Sequence, residues 1–132
     1  MLGTSRIFAG RAAQAIEPLR RGFRLNPNDP QAFNWMNFMA LAHILIGEPA
    51  EAAERAAETI AMRPDSHLGY AMLACSLGNL GREAEAGRAL QDMRRLLPRP
   101  GALDHFMTSF VDPTDRARFL DGMRRAGWTE PG

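Results

Sequence analysis

The side chains of this 132-residue chain that could do chemistry are few: three histidines, one cysteine, four serines and fifteen carboxylates. Their spacing matches no catalytic or metal-binding motif. His43, His67 and His105 lie far apart with no His-x-x-x-His pair, so no helix face offers two metal ligands. His43 falls at a packing position and reads as a core histidine; His67 sits just inside a helix start. Cys75 lies in an Ala/Leu-rich stretch and reads as a small buried hydrophobe rather than a nucleophile. Standing alone, it also excludes an internal disulfide framework and a cysteine-rich zinc site. None of Ser5, Ser66, Ser76 and Ser109 sits in a Gly-x-Ser-x-Gly elbow. All sixteen basic residues are arginine, which removes a P-loop, Schiff-base or general-base lysine at once. Gly78-Asn79-Leu80-Gly81 follows no strand and is not a dinucleotide loop. The expectation is a protein without catalytic residues, cofactor or metal.

The charges read as surface. Glu48, Glu51, Glu54 and Glu58 form an acidic helix face, and Glu51 with Arg55 is an i, i+4 pair worth a few tenths of a kcal/mol, about the level of an exposed helix pair. Arg94-Arg95 and Arg124-Arg125 fall near helix C-termini, where cations suit the helix dipole. A net charge of +1, with arginines interleaved among acids, argues against nucleic acid as the partner. The composition, 45% hydrophobic and 23% charged, is that of one globular domain. No apolar run approaches the roughly 20 residues that span a bilayer, so no membrane partner is expected. Ile7-Phe8-Ala9 before Gly10 is too short for a signal-peptide core, which with the free thiol points to the cytoplasm.

The elements that carry these residues are helical throughout. Val111 is the only valine, no segment alternates apolar and polar residues, and Ala, Leu, Met, Glu and Arg dominate. The spacing predicts a short remnant at Ser5 to Ala9. Helices follow over about Arg11 to Leu25, Pro30 to Ile46, Pro49 to Met62, Ser66 to Leu80 and Arg82 to Leu97. Leu103, Phe106, Met107 and Phe110 have i, i+3, i+4, i+7 spacing and predict a short amphipathic helix. A last helix is predicted with Asp112 as N-cap, Pro113 at its first position, Phe119, Leu120 and Met123 inward and Gly127 at its end.

The breakers repeat. Pro64 and Pro98, Gly47 and Gly81, and Ala52 and Ala86 are each 34 residues apart. Gly10, Ala15 and Pro27 keep the same mutual spacing at an offset of 37, with three extra residues around Asn28-Asp29-Pro30. A 34-residue period with two helices per unit resembles the tetratricopeptide repeat. Unit two supplies Met36, Met39-Ala40, His43, Gly47, Ala52, Ala56 and Pro64. Unit three supplies Tyr70, Leu73-Ala74, Leu77, Gly81, Ala86, Leu90 and Pro98. The resemblance implies an all-α domain of antiparallel helix-turn-helix repeats in a right-handed superhelix. It would hold a partial first repeat (5–28), a second (30–64), a third (66–98) and a capping helix pair (101–127).

The resemblance also implies a function: a non-catalytic interaction module whose concave groove takes a peptide or partner helix. By register the groove residues are Asn34, Asn37, Phe38, Leu41 and Leu45 from unit two, and Leu68, Ala71, Met72, Cys75 and Asn79 from unit three. The lysine and arginine of the family's carboxylate clamp are missing there, leaving an apolar trough with asparagines near its edges. Replacing Phe38 or Leu41 by Glu is then expected to abolish partner binding while helicity stays intact. Helices within 102–127 folding back over the trough are the alternative to an open groove. Ala12, Ala15, Ile16, Leu19 and Phe23 form an apolar stripe with little chain upstream to cover it, so this edge is expected to pair with a second copy in a homodimer or with further chain. A second likeness, from Leu96 to Gly127, is to the C-terminal tail of bacterial proteins that join a class III nucleotidyl cyclase domain to tetratricopeptide repeats. It implies a regulatory tail or truncated relative as the alternative function.

Overall fold

The computed structural model describes residues 11–98, 101–110 and 112–129, leaving aside the side chains of Asp104 and His105. The remnant expected at Ser5 to Ala9 lies outside the described residues. Among the described residues the chain is all-α. Seven helices follow one another: α1 (Ala12–Leu25), α2 (Ala32–Leu45), α3 (Pro49–Met62), α4 (His67–Asn79), α5 (Glu83–Leu96), α6 (Ala102–Met107) and α7 (Pro113–Ala126). The expected boundaries agree within two residues for α1 to α5, while the short amphipathic helix stops at Met107, before Phe110.

Two hairpins, α2–α3 and α4–α5, share one turn. Gly47 and Gly81 take left-handed φ values of +83° and +78°, a region that glycine enters without strain. At the first turn the Glu48 amide donates to the His43 carbonyl and the Gly47 amide to the Ile44 carbonyl. At the second, the Arg82 amide donates to Leu77 and the Gly81 amide to Gly78. Every partner is displaced by the sequence period, so the repeat extends to backbone hydrogen bonds. Pro49 then begins α3, where its missing N–H is no loss. Ser66 caps α4 by accepting from the Gly69 amide at 3.1 Å.

Small residues let the hairpins close. Ala40, Ala52, Ala74 and Ala86 are fully buried. Gly69 brings the start of α4 against α3, where an added Cβ would sit 3.2 Å from both Thr59 and Ile60. Consecutive helices pack on one another from α1 to α5, with α4 wedged between α3 and α5. Ala12 and Leu19 of the α1 stripe are buried, while Ala15, Ile16 and Phe23 pack against the core half-covered.

The chain then turns back. α7 does not extend the α4–α5 row; it lies on α4, and touches α2 and α5 more lightly. Asp112 caps it by accepting from the amides of Thr114 (2.7 Å) and Asp115 (3.4 Å), and Gly127 ends it at φ +106°. Phe119 of α7 meets Phe106 and Phe110 at centroid distances of 5.7 Å, tying α6 and the following turn to it. No described helix is long and apolar enough to cross a membrane.

Candidate functional site

The inner face of α2 and α4 is where the sequence places a trough, and there the structure places α7. Leu41, Leu45, Ala71, Met72 and Cys75 are essentially without exposure and belong to the same core as Phe119 and Met123. Asn37 is also buried, and among the described residues its Oδ1 has no hydrogen-bond partner. Asn34, Phe38, Leu68 and Asn79 are half-buried. Ten candidate residues thus divide into a closed floor and a more open margin. Of the two arrangements the sequence left open, the folded-back one holds along α4 and at the C-terminal end of α2. Leu41 is accordingly a core residue: an ionised Glu there would break the fold rather than selectively block a surface.

The crossing of α4 and α7 is made by two glycines, Gly78 and Gly122, to which the sequence assigned no packing role. A Cβ on Gly78 would lie 2.6 Å from the Gly122 carbonyl oxygen and 2.9 Å from the Ala126 nitrogen. A Cβ on Gly122 would lie 2.3 Å from Cys75 Sγ and 2.9 Å from Asn79 Nδ2. The helices therefore meet at backbone contact, a distance that no other residue allows at these points. The Cys75 thiol faces the Phe119 carbonyl at 3.5 Å. The missed signal was a glycine inside each of two helices, where it weakens the helix and serves no turn.

Arginines of α7 reach the ends of both facing helices. Arg118 donates from Nη1 to the Leu45 carbonyl, in the last turn of α2. Arg125 donates to Asn79 Oδ1 at 3.3 Å, at the end of α4, and pairs with Asp121 at 3.1 Å. Both place positive charge where helix carbonyls are unsatisfied. These side chains border a cavity of about 430 Å³ floored by Ile44, Ile46 and Pro49.

The reactive groups fall elsewhere or are quenched. Burial pushes the Cys75 thiol far up, Asp121 adds to the rise and Arg125 opposes it, so the sulfur stays protonated. His43 is buried and its Nδ1 pairs with Glu48 Oε1 at 2.7 Å, while Nε2 has no partner among the described residues. His67 opens α4, and burial lowers its imidazole below the ordinary value. His105's side chain lies outside the described residues. Glu51, Glu54 and Glu58 converge on one arginine, Arg55, at 3.6, 3.4 and 2.6 Å. Among the described residues no three His, Cys, Asp or Glu side chains gather as a metal site.

An outer groove of about 600 Å³ runs between α3 and α5 over Tyr70, Leu73 and Leu77 of α4, with Arg82, Arg88, Glu54 and Asp92 at its rim. Its rim mixes both signs, so it carries no charge preference. No protein-family model, curated protein or solved structure matches this chain.

Proposed function

We propose that this chain is a tetratricopeptide-like helical-repeat module that binds a partner helix or peptide along its α2/α4 face, without catalysis. The observation that carries the reading is the seating of α7: a helix lies on this face at backbone contact through Gly78 and Gly122. A surface shaped for one helix is the kind of surface that recognises helices. The common turn of the two hairpins and their four buried alanines support the repeat architecture.

Binding would work by burial of apolar partner side chains against Phe38 and Leu68 at the open margin. Asn34, half-buried on that margin, is a polar group suited to fixing the partner's register. A partner that extends along α4 meets the ground α7 occupies.

The test is selection of binders from a displayed library of amphipathic helices, followed by two surface variants of the full chain. Phe38→Glu is expected to weaken the selected helices at least about tenfold, the effect of placing a charge in an apolar contact. Tyr70→Glu, in the outer groove, is expected to leave them unchanged. The reverse pattern moves binding to the α3/α5 groove and sinks the trough assignment.

A further inference from the structure

We infer that α7 is an internal competitor for the trough, and that the partner helix displacing it carries α7's own recognition pattern: two arginines seven residues apart with a glycine between them. The inference rests on the trough reading above and specifies the partner it takes.

The requirement for glycine follows from distances. At the crossing the nearest atoms to a would-be Cβ on α7 are Cys75 Sγ and the Asn79 amide, and on the opposite side Gly78 has no side chain to withdraw. A helix with any larger residue at Gly122's position cannot reach the floor. It would ride outward and leave the apolar layer of Leu41, Met72 and Cys75 incompletely covered.

The requirement for arginines follows from charge. α2 and α4 both end at this edge of the trough, with Leu45 and Asn79 in their last turns. Without α7, two helix C-termini and their carbonyls face one side with partial negative charge. Arg118 and Arg125 answer them, one on the Leu45 carbonyl and the other on Asn79. Phe119 and Met123, both fully buried, supply the apolar contacts between. The fit is to a basic amphipathic helix, and an acidic helix would meet like charge at both ends.

α7 is capped at both ends by its own residues, so the displaced segment has defined bounds. It has its own N-cap at Asp112 and its own left-handed stop at Gly127, and its departure also gives up the Phe106 and Phe110 contacts of Phe119 and the burial of Trp128. Most of its charged residues face solvent, and its burial is confined to Asp115, Phe119, Gly122, Met123 and Ala126.

The probe is an Ala/Gln host helix bearing Arg, Phe, Gly, Met and Arg at the spacing of residues 118, 119, 122, 123 and 125, titrated by fluorescence anisotropy into the full chain. Three chains are compared: wild type, Asp112→Ala and Phe119→Ala. Among the described residues the Asp112 side chain hydrogen-bonds only amides of its own helix, so its loss loosens α7 and leaves the trough intact. Apparent affinity should rise about fivefold in Asp112→Ala, since losing a cap frees that much more of the binding-competent state. It should rise further in Phe119→Ala. A probe with Leu for Gly should lose binding at least about tenfold, as backbone contact is then impossible. A probe with Gln for both Arg should weaken by a similar factor.

Equal affinity across the three chains, or an equally good Leu probe, overturns the inference. So does a stable dimer of Asp112→Ala without probe, which makes the occupant a second copy's α7. If this probe fails while library-selected helices still bind in a Phe38-dependent way, the α7-like pattern falls and the trough reading stands.

Discussion

The two hairpins α2–α3 and α4–α5 have the same turn and the same buried alanines, yet only one of them takes α7 at backbone distance. The residues one period apart show why. Gly78 on α4 corresponds to Ile44 on α2, and Cys75 corresponds to Leu41. Ile44 and Leu41 fill space with side chain; Gly78 and Cys75 vacate it for another helix. The small and helix-breaking residues of the hairpin, Ala40/Ala74, Gly47/Gly81 and Ala52/Ala86, are kept between units, whereas the inner-face positions vary in volume. The repeat builds the scaffold, and the departures from it decide where a helix docks.

The largest test of this contrast is Phe119→Ala. The ring is fully buried and touches both Phe106 and Phe110. Its loss should lower unfolding free energy by about 4 kcal/mol, typical of a buried aromatic truncated to Ala. Hydrogen exchange should show protection lost across α7 and α6 and retained in α2 and α3. Equal loss of protection in both hairpins would mean that α7 belongs to the common core and that the two units do not differ.

Next in size is a pair of opposite substitutions at equivalent positions. Gly78→Ala adds a methyl 2.6 Å from a backbone oxygen, which cannot swing away as a flexible side chain does. It should cost about 3 kcal/mol or lift α7 off α4, at the upper end for overpacking. Ile44→Ala removes volume from a buried site and should cost about 3 kcal/mol by leaving a cavity. Urea melts give both magnitudes, and the affinity for the host-helix probe separates the causes. Gly78→Ala should abolish docking of the probe as it does that of α7, whereas Ile44→Ala should leave the crossing usable. A Gly78→Ala chain with wild-type stability and probe affinity would remove the backbone-contact argument.

The scaffold was legible in the sequence because its signals are local. Glycines at 47 and 81, prolines at 49 and 113, and Asp112 as a cap each act through their own backbone, so spacing alone finds them. Of the expected acidic face, Glu51, Glu54 and Glu58 lie on α3 around Arg55, whereas Glu48 precedes the helix and pairs with His43. The docking of α7 was less legible because it joins residues far apart along the chain. Cys75 and Phe119 meet across 44 positions and Leu45 and Arg118 across 73. Trough residues such as Leu41 and Met72 were identified by register, but register does not say whether a face is bare or covered. Comparison of the units at Ile44 and Gly78, together with the second glycine in the last helix, was the available clue.

The smallest effect is the pH dependence tied to Cys75, and it probes the same crossing without changing its volume. The folded-state thiol pKa is raised far above its ordinary value of 9.0, chiefly by burial and then by Asp121 on α7. Above pH 9 the unfolded chain releases the proton and the folded chain keeps it, so the unfolded state binds fewer protons and stability falls as pH rises. The expected slope is at most about 1.4 kcal/mol per pH unit, that of one linked proton. Stability measured in urea at pH 8, 9.5 and 10.5 should decline for wild type, and Cys75→Ala should remove most of the decline despite its lower starting stability. Asp121→Asn should change it less, since burial outweighs the single charge as its cause. A variant in which α7 is lifted, Gly122→Leu, should lose the slope as well, because its thiol is no longer sealed. If Gly122→Leu keeps the full slope, the thiol is buried by the α4–α5 hairpin alone, and α7 is not what distinguishes that hairpin from α2–α3.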